Sequence, residues 1–196
     1  MTGLIDISIS ELTAMATKAA RGAGFGWGMA DEAARATCWL AARDLPGPAA
    51  LAELLERLDG QPMAGFAPLV EGDMWSASGG WLCPVATAAA MLDRADHLSK
   101  ASLTLGPTLC PLLLRPAVAD IWPGGAIVEP KDLTGPKAAQ VRIAAASAEA
   151  TGLVTSRARL APDVWNCLGA FAQRTYAPAT EASRLAGAGA GLSDND

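Results

Sequence analysis

Between Ser8 and Gly60, apolar side chains recur at the three- and four-residue spacing of a helix. Only two stretches interrupt them, Gly22 to Gly28 and Leu45-Pro46-Gly47-Pro48. That periodicity predicts helices packed face to face, because glycine and proline end what the pattern would otherwise continue. Ser8-Ile9-Ser10-Glu11 has the form of a capping box, in which the serine takes an orphan N–H of the first turn and the glutamate reaches back. Leu12, Met15, Ala16 and Ala19 then make an apolar stripe up to Arg21. A second helix is expected from about Met29 to Arg43, with Ala33, Ala36, Trp39 and Leu40 on one face and Asp31, Glu32 and Arg35 on the other. A third takes Ala49 to Leu58 on Leu51, Leu54, Leu55 and Leu58, and Asp59-Gly60 stops it.

The pattern then changes. Residues Gln61 to Gly80 read as a loop, crossed by Pro62, Gly65, Pro68 and Gly72 and held by Trp75 and Trp81. One helix is expected over Pro84 to His97, with proline in its first turn. Short strands follow, separated by glycine and proline: Ser102–Leu105, Leu109–Leu114, Gly125–Val128, Ala139–Ala145 and Leu153–Leu160. Pro162-Asp163 opens a last helix, with Trp165, Leu168 and Phe171 or Ala172 inward, ending near Arg174. The expected fold class is therefore α+β: N-terminal helices, a central mostly antiparallel or mixed sheet of short strands, a closing helix and a glycine-rich C-terminal tail. One domain over residues 1–196 is expected, divided into a helical part (1–60), an α+β part (61–175) and the tail (176–196).

Composition narrows the function classes. Hydrophobic residues make up 51% of the 196 and charged ones 18%, which suits a folded body with one good core. Net charge is −5, and lysines and arginines are scattered singly. With one Tyr and three Phe there is little beyond tryptophan to stack bases, so nucleic acid is not an expected partner. The uncharged runs Met74–Leu92 and Ala101–Leu114 are broken by Gly79-Gly80 and Pro84, and by Pro107 and Pro111, so no membrane span is expected. No basic segment followed by an apolar one opens the chain, and a cytoplasmic location is expected. Cys38, Cys83, Cys110 and Cys167 stand far apart without a C-x-x-C pair, and are read as small buried hydrophobes in a reducing compartment.

Two segments carry what chemistry the residues suggest. Arg21-Gly22-Ala23-Gly24-Phe25-Gly26-Trp27-Gly28 lies near one end. At the other, Tyr176 is followed by Arg184 and then by Gly187, Gly189 and Gly191 in strict alternation. Glycine lets backbone approach a ligand with its N–H groups turned inward, guanidinium pairs with carboxylate or phosphate, and a helix N-terminus attracts anions. Arg21, Gly22, Gly24, Gly26, Trp27, Tyr176, Arg184, Gly187, Gly189 and Gly191 are thus the candidate ligand-binding residues, for a small anionic molecule. The other reading is a tight turn between closely packed helices and a loose tail. The first run follows a helix and not a strand, which departs from the dinucleotide-binding fingerprint.

Other features are weaker. Ser76-Ala77-Ser78-Gly79-Gly80 is faintly similar to the serine- and glycine-rich loop of amidase-type hydrolases, but a serine nucleophile needs a base and neither S-x-x-K nor G-x-S-x-G occurs. His97, the single histidine, reads as a helix-end cation, and no zinc-ligand spacing surrounds it. Asp194-Asn195-Asp196 offers oxygen ligands to a hard cation or forms a solvated end.

The pieces K-A-A-R-G-A-G-F-G-W-G (Lys18 to Gly28) and T-Y-A-P-A-T-E-A-S-R-L-A-G-A-G-A-G-L-S-D-N-D (Thr175 to Asp196) resemble signature segments of a bacterial domain-of-unknown-function family of about this length. That resemblance implies no activity. The first sixty residues are also similar in layout to the N-terminal helices of the malate/L-lactate dehydrogenase type-2 family. There a His-Gly pair follows the second helix and serves catalysis. Arg43-Asp44-Leu45-Pro46-Gly47-Pro48 has no histidine, and no catalytic residue or cofactor carries over. The expectation is an anion-binding protein, with enzymatic activity left open. The alternatives are an oligomeric interaction or scaffold subunit, such as a homodimer, and a reduced relative of nicotinamide-dependent dehydrogenases.

Overall fold

The computed structural model describes residues 3–147 and 154–176. The chain opens with a short strand, β1 (Ile5–Ser8), which pairs antiparallel with β9 (Arg157–Leu160). Helix α1 (Ile9–Gly22) follows directly. Ser8 caps it, with the Glu11 N–H donating to Ser8 Oγ at 3.1 Å and the Ser8 N–H donating to Glu11 Oε2 at 2.9 Å, so the predicted capping box is formed. Helices α2 (Trp27–Ala41) and α3 (Gly47–Leu58) complete the predicted N-terminal group. The second helix starts two residues earlier than expected, so Gly28 is helical and the break shrinks to Ala23–Gly26.

Alanine decides how these helices meet. Ala16, Ala19 and Ala20 of α1 and Ala30, Ala33 and Ala34 of α2 are all buried. Side chains this small let two helix axes approach closely, and burying them costs almost no rotamer entropy. The leucine stripe of α3 and Leu168, Phe171 and Ala172 of α7 (Pro162–Gln173) close the same core.

A second core lies beneath a five-stranded sheet of β2 (Leu69–Glu71), β3 (Met74–Ser76), β4 (Leu103–Leu105), β8 (Val141–Ala145) and β6 (Ala126–Glu129), in that order across the sheet. The β3–β4 pair is parallel and the others antiparallel, so the sheet is mixed. Trp75, Leu103, Leu105, Val141 and Ile143 point inward to meet α4 (Pro84–Leu92) and α6 (Arg115–Ile121). A small third pair joins β5 (Thr108–Leu109) and β7 (Lys137–Ala138). Helices and short strands of this kind are an α+β fold, as expected.

Three local expectations are corrected. Residues 61–80 are not loop throughout: β2 and β3 form a hairpin around Gly72-Asp73, where Gly72 takes the left-handed φ of +57° that such a turn requires. The expected strand Leu109–Leu114 ends at once, because Cys110 turns left-handed (φ +39°) and Pro111 opens a buried 3-10 turn leading into α6. The helix expected over Pro84–His97 breaks at Asp93-Arg94 into α4 and the one-turn α5 (Ala95–Leu98). Strand β1 and helix α6 were not anticipated. Among the described residues, no helix is long and apolar enough to cross a membrane.

Candidate functional site

Helices α1, α3 and α7 bring their C-terminal ends together. Gly22, the last residue of α1, lies so close to α7 that a Cβ there would sit 1.8 Å from the Phe171 carbonyl oxygen. From the end of α7, Arg174 Nη1 donates to Asp59 Oδ1 at 2.6 Å, at the end of α3. Three carbonyl ends with their partial negative charge therefore converge, and cations are favoured around them. Lys18, Arg21 and Arg174 supply those cations. The Arg174 guanidinium in turn holds the Asp59 carboxyl below its usual range.

Helix α2 begins at the same place, and its N-terminus has the opposite polarity. Gly26 is its N-cap and has no side chain to offer, so the first-turn N–H groups receive no side-chain cap, and no carboxylate stands in that turn. Asp31 and Glu32 come one turn later, and Glu32 is paired with Arg35 at 2.7 Å. The first turn of α2 is thus an open set of donors at the surface.

The described candidate residues divide by what they touch. Arg21 Nη1 donates to the Phe25 carbonyl at 2.6 Å, and its guanidinium lies 4.2 Å from the centre of the Trp27 ring. The pair clamps the short link between α1 and α2. Trp27 is 71% exposed even so. Gly22 is a packing residue against α7. Gly24 has φ +98°, and space is open around Gly24, Gly26 and Gly28. Tyr176, 60% exposed, returns to this surface: Lys18 Nζ donates to its hydroxyl at 3.0 Å and lies 5.2 Å from its ring centre. Arg21, Gly24, Gly26, Trp27 and Tyr176 are therefore gathered near the end of α1. Arg184, Gly187, Gly189 and Gly191 lie outside the described residues, as do Asp194-Asn195-Asp196. Lys18 was not singled out from sequence. The signal was its place three residues before Arg21, which puts both cations on one helix face.

The Gly79 N–H donates to the Gly65 carbonyl at 2.8 Å, tying the serine-glycine loop to a 3-10 turn over Met63–Phe66. Among the described residues, the hydroxyls of Ser76 and Ser78 meet no base. His97 lies exposed at the end of α5. All four cysteines are free, and three of them are buried. Burial pushes the Cys83 thiol up to about 11 and that of Cys110 up to about 12. Cys167 is raised to about 11 by desolvation and then by the Glu56 carboxylate, which its thiol meets at 3.4 Å. Such thiols are protonated near neutral pH and poor nucleophiles. No group of three or more metal-ligating side chains occurs among the described residues.

Residues 7–83 match the model of a protein family described as being of unknown function, DUF3726. The match runs from β1 through the three N-terminal helices and the β2–β3 hairpin to the start of α4. It includes the first glycine run, in line with the expected resemblance to a domain-of-unknown-function family, while the second run lies beyond it. No curated protein gives a significant match to the chain, and no solved structure does.

Proposed function

We propose that this chain binds a small anion where α1 gives way to α2. In this reading the first-turn N–H groups of α2 and the Arg21 guanidinium receive the anion, and the Trp27 ring forms one wall. Arg184, Gly187, Gly189 and Gly191 are proposed as further ligand-binding residues. The observation that carries the reading is the Lys18–Tyr176 hydrogen bond of 3.0 Å. That bond holds Tyr176 against α1 within one helical turn of Arg21. The uncapped α2 N-terminus supplies donors of the right polarity there.

Thermal-shift and calorimetric titrations with phosphate, sulfate, citrate and nucleoside monophosphates test this. At least one anion should raise the melting temperature in a saturable way. Arg21→Gln should weaken that binding roughly tenfold, the scale of one charge-assisted hydrogen bond. A truncation after Tyr176 should weaken it further. A flat response to the whole panel at millimolar concentration rejects the reading.

A second reading, assembly with another copy of the chain, draws on the same exposed tryptophan, since large exposed aromatics anchor interfaces. Light scattering separates the two. If Trp27→Ala halves the particle mass while no anion binds, the second reading stands in place of the first.

A further inference from the structure

We draw no further inference here: the strongest candidate, the open cleft of about 500 Å³ between the turn after α6 and the end of β8, is lined by no charged side chain, and the unpartnered polar atom beside it, Trp122 Nε1, is sealed from solvent and so closed to a ligand.

Discussion

Two glycines of one run behave oppositely, and the difference is entirely steric. At Gly22 an added methyl would meet the Phe171 backbone, with the carbonyl oxygen at 1.8 Å and the carbonyl carbon at 2.7 Å. Main chain in a helix cannot step aside as a flexible side chain can, so α1 and α7 would have to separate. Gly22→Ala should destabilise the protein by about 1–3 kcal/mol, as overpacked cores do. At Gly28, inside the first turn of α2, nothing lies within 4 Å. Gly28→Ala should stabilise by about 0.4–1 kcal/mol, through lower entropy of the unfolded chain. Urea midpoints of the two variants check both signs. Equal effects would mean that α1 and α7 do not meet as described.

At the same scale, the Asp59–Arg174 pair sets a pH dependence. Its folded-state carboxyl is depressed, first by the hydrogen bond from Arg174. A depressed acid contributes stability above its unfolded pKa, and that contribution is lost as pH falls through the folded value. Arg174→Gln should therefore flatten the loss of stability below about pH 4, the region where a free aspartate titrates. Urea melts of both proteins between pH 2 and 5 give the comparison. Both side chains are well exposed, so salt should reduce the difference.

Among the elements, the α1–α2 pair is the most constrained. Its interface is alanine against alanine, with Ala19, Ala20, Ala30 and Ala33 wholly buried. Contacts between such small side chains leave no soft group to yield. Ala33→Leu should cost about 1–3 kcal/mol, whereas on an exposed helix face the same change would be close to neutral. Chemical denaturation measures it, and a neutral result would place Ala33 outside a close-packed contact. The helices were legible in the sequence because caps and 3.6-residue periodicity are local signals: Ser8, Glu11 and the four leucines of α3 all do what their spacing implies. The β2–β3 hairpin was less legible. Each strand has three residues, Trp75 is drawn into the sheet core, and Pro62, Gly65 and Pro68 nearby read as loop. Strand β1 is recognisable only through β9, about 150 residues away (Ile5 pairs with Leu160), and no local pattern reports such a partner.

For the molecule as a whole, the cysteines give the clearest test of burial. Raised thiol pKa values contribute stability that is complete below the unfolded-state pKa of about 8.5 and is lost as pH rises toward the folded values of about 11 and 12. Native protein should thus lose stability above about pH 9. A thiol reagent at pH 8 should label Cys167 first and the other three only on unfolding. Rapid labelling of Cys83 or Cys110 in the native protein would contradict their place in the core.

Helix positions, their inward faces, the α+β class and the solvated alternation of Arg157 to Leu160 follow from the residues alone, because each depends on neighbours a few positions apart. The meeting of three helix ends, the role of Gly22 as a contact with α7 and the bond between Lys18 and Tyr176 depend on residues more than a hundred positions apart. Spacing along a chain says when a helix begins and which way its side chains point. Which other helix fills the gap a missing Cβ leaves is settled only when the whole chain packs.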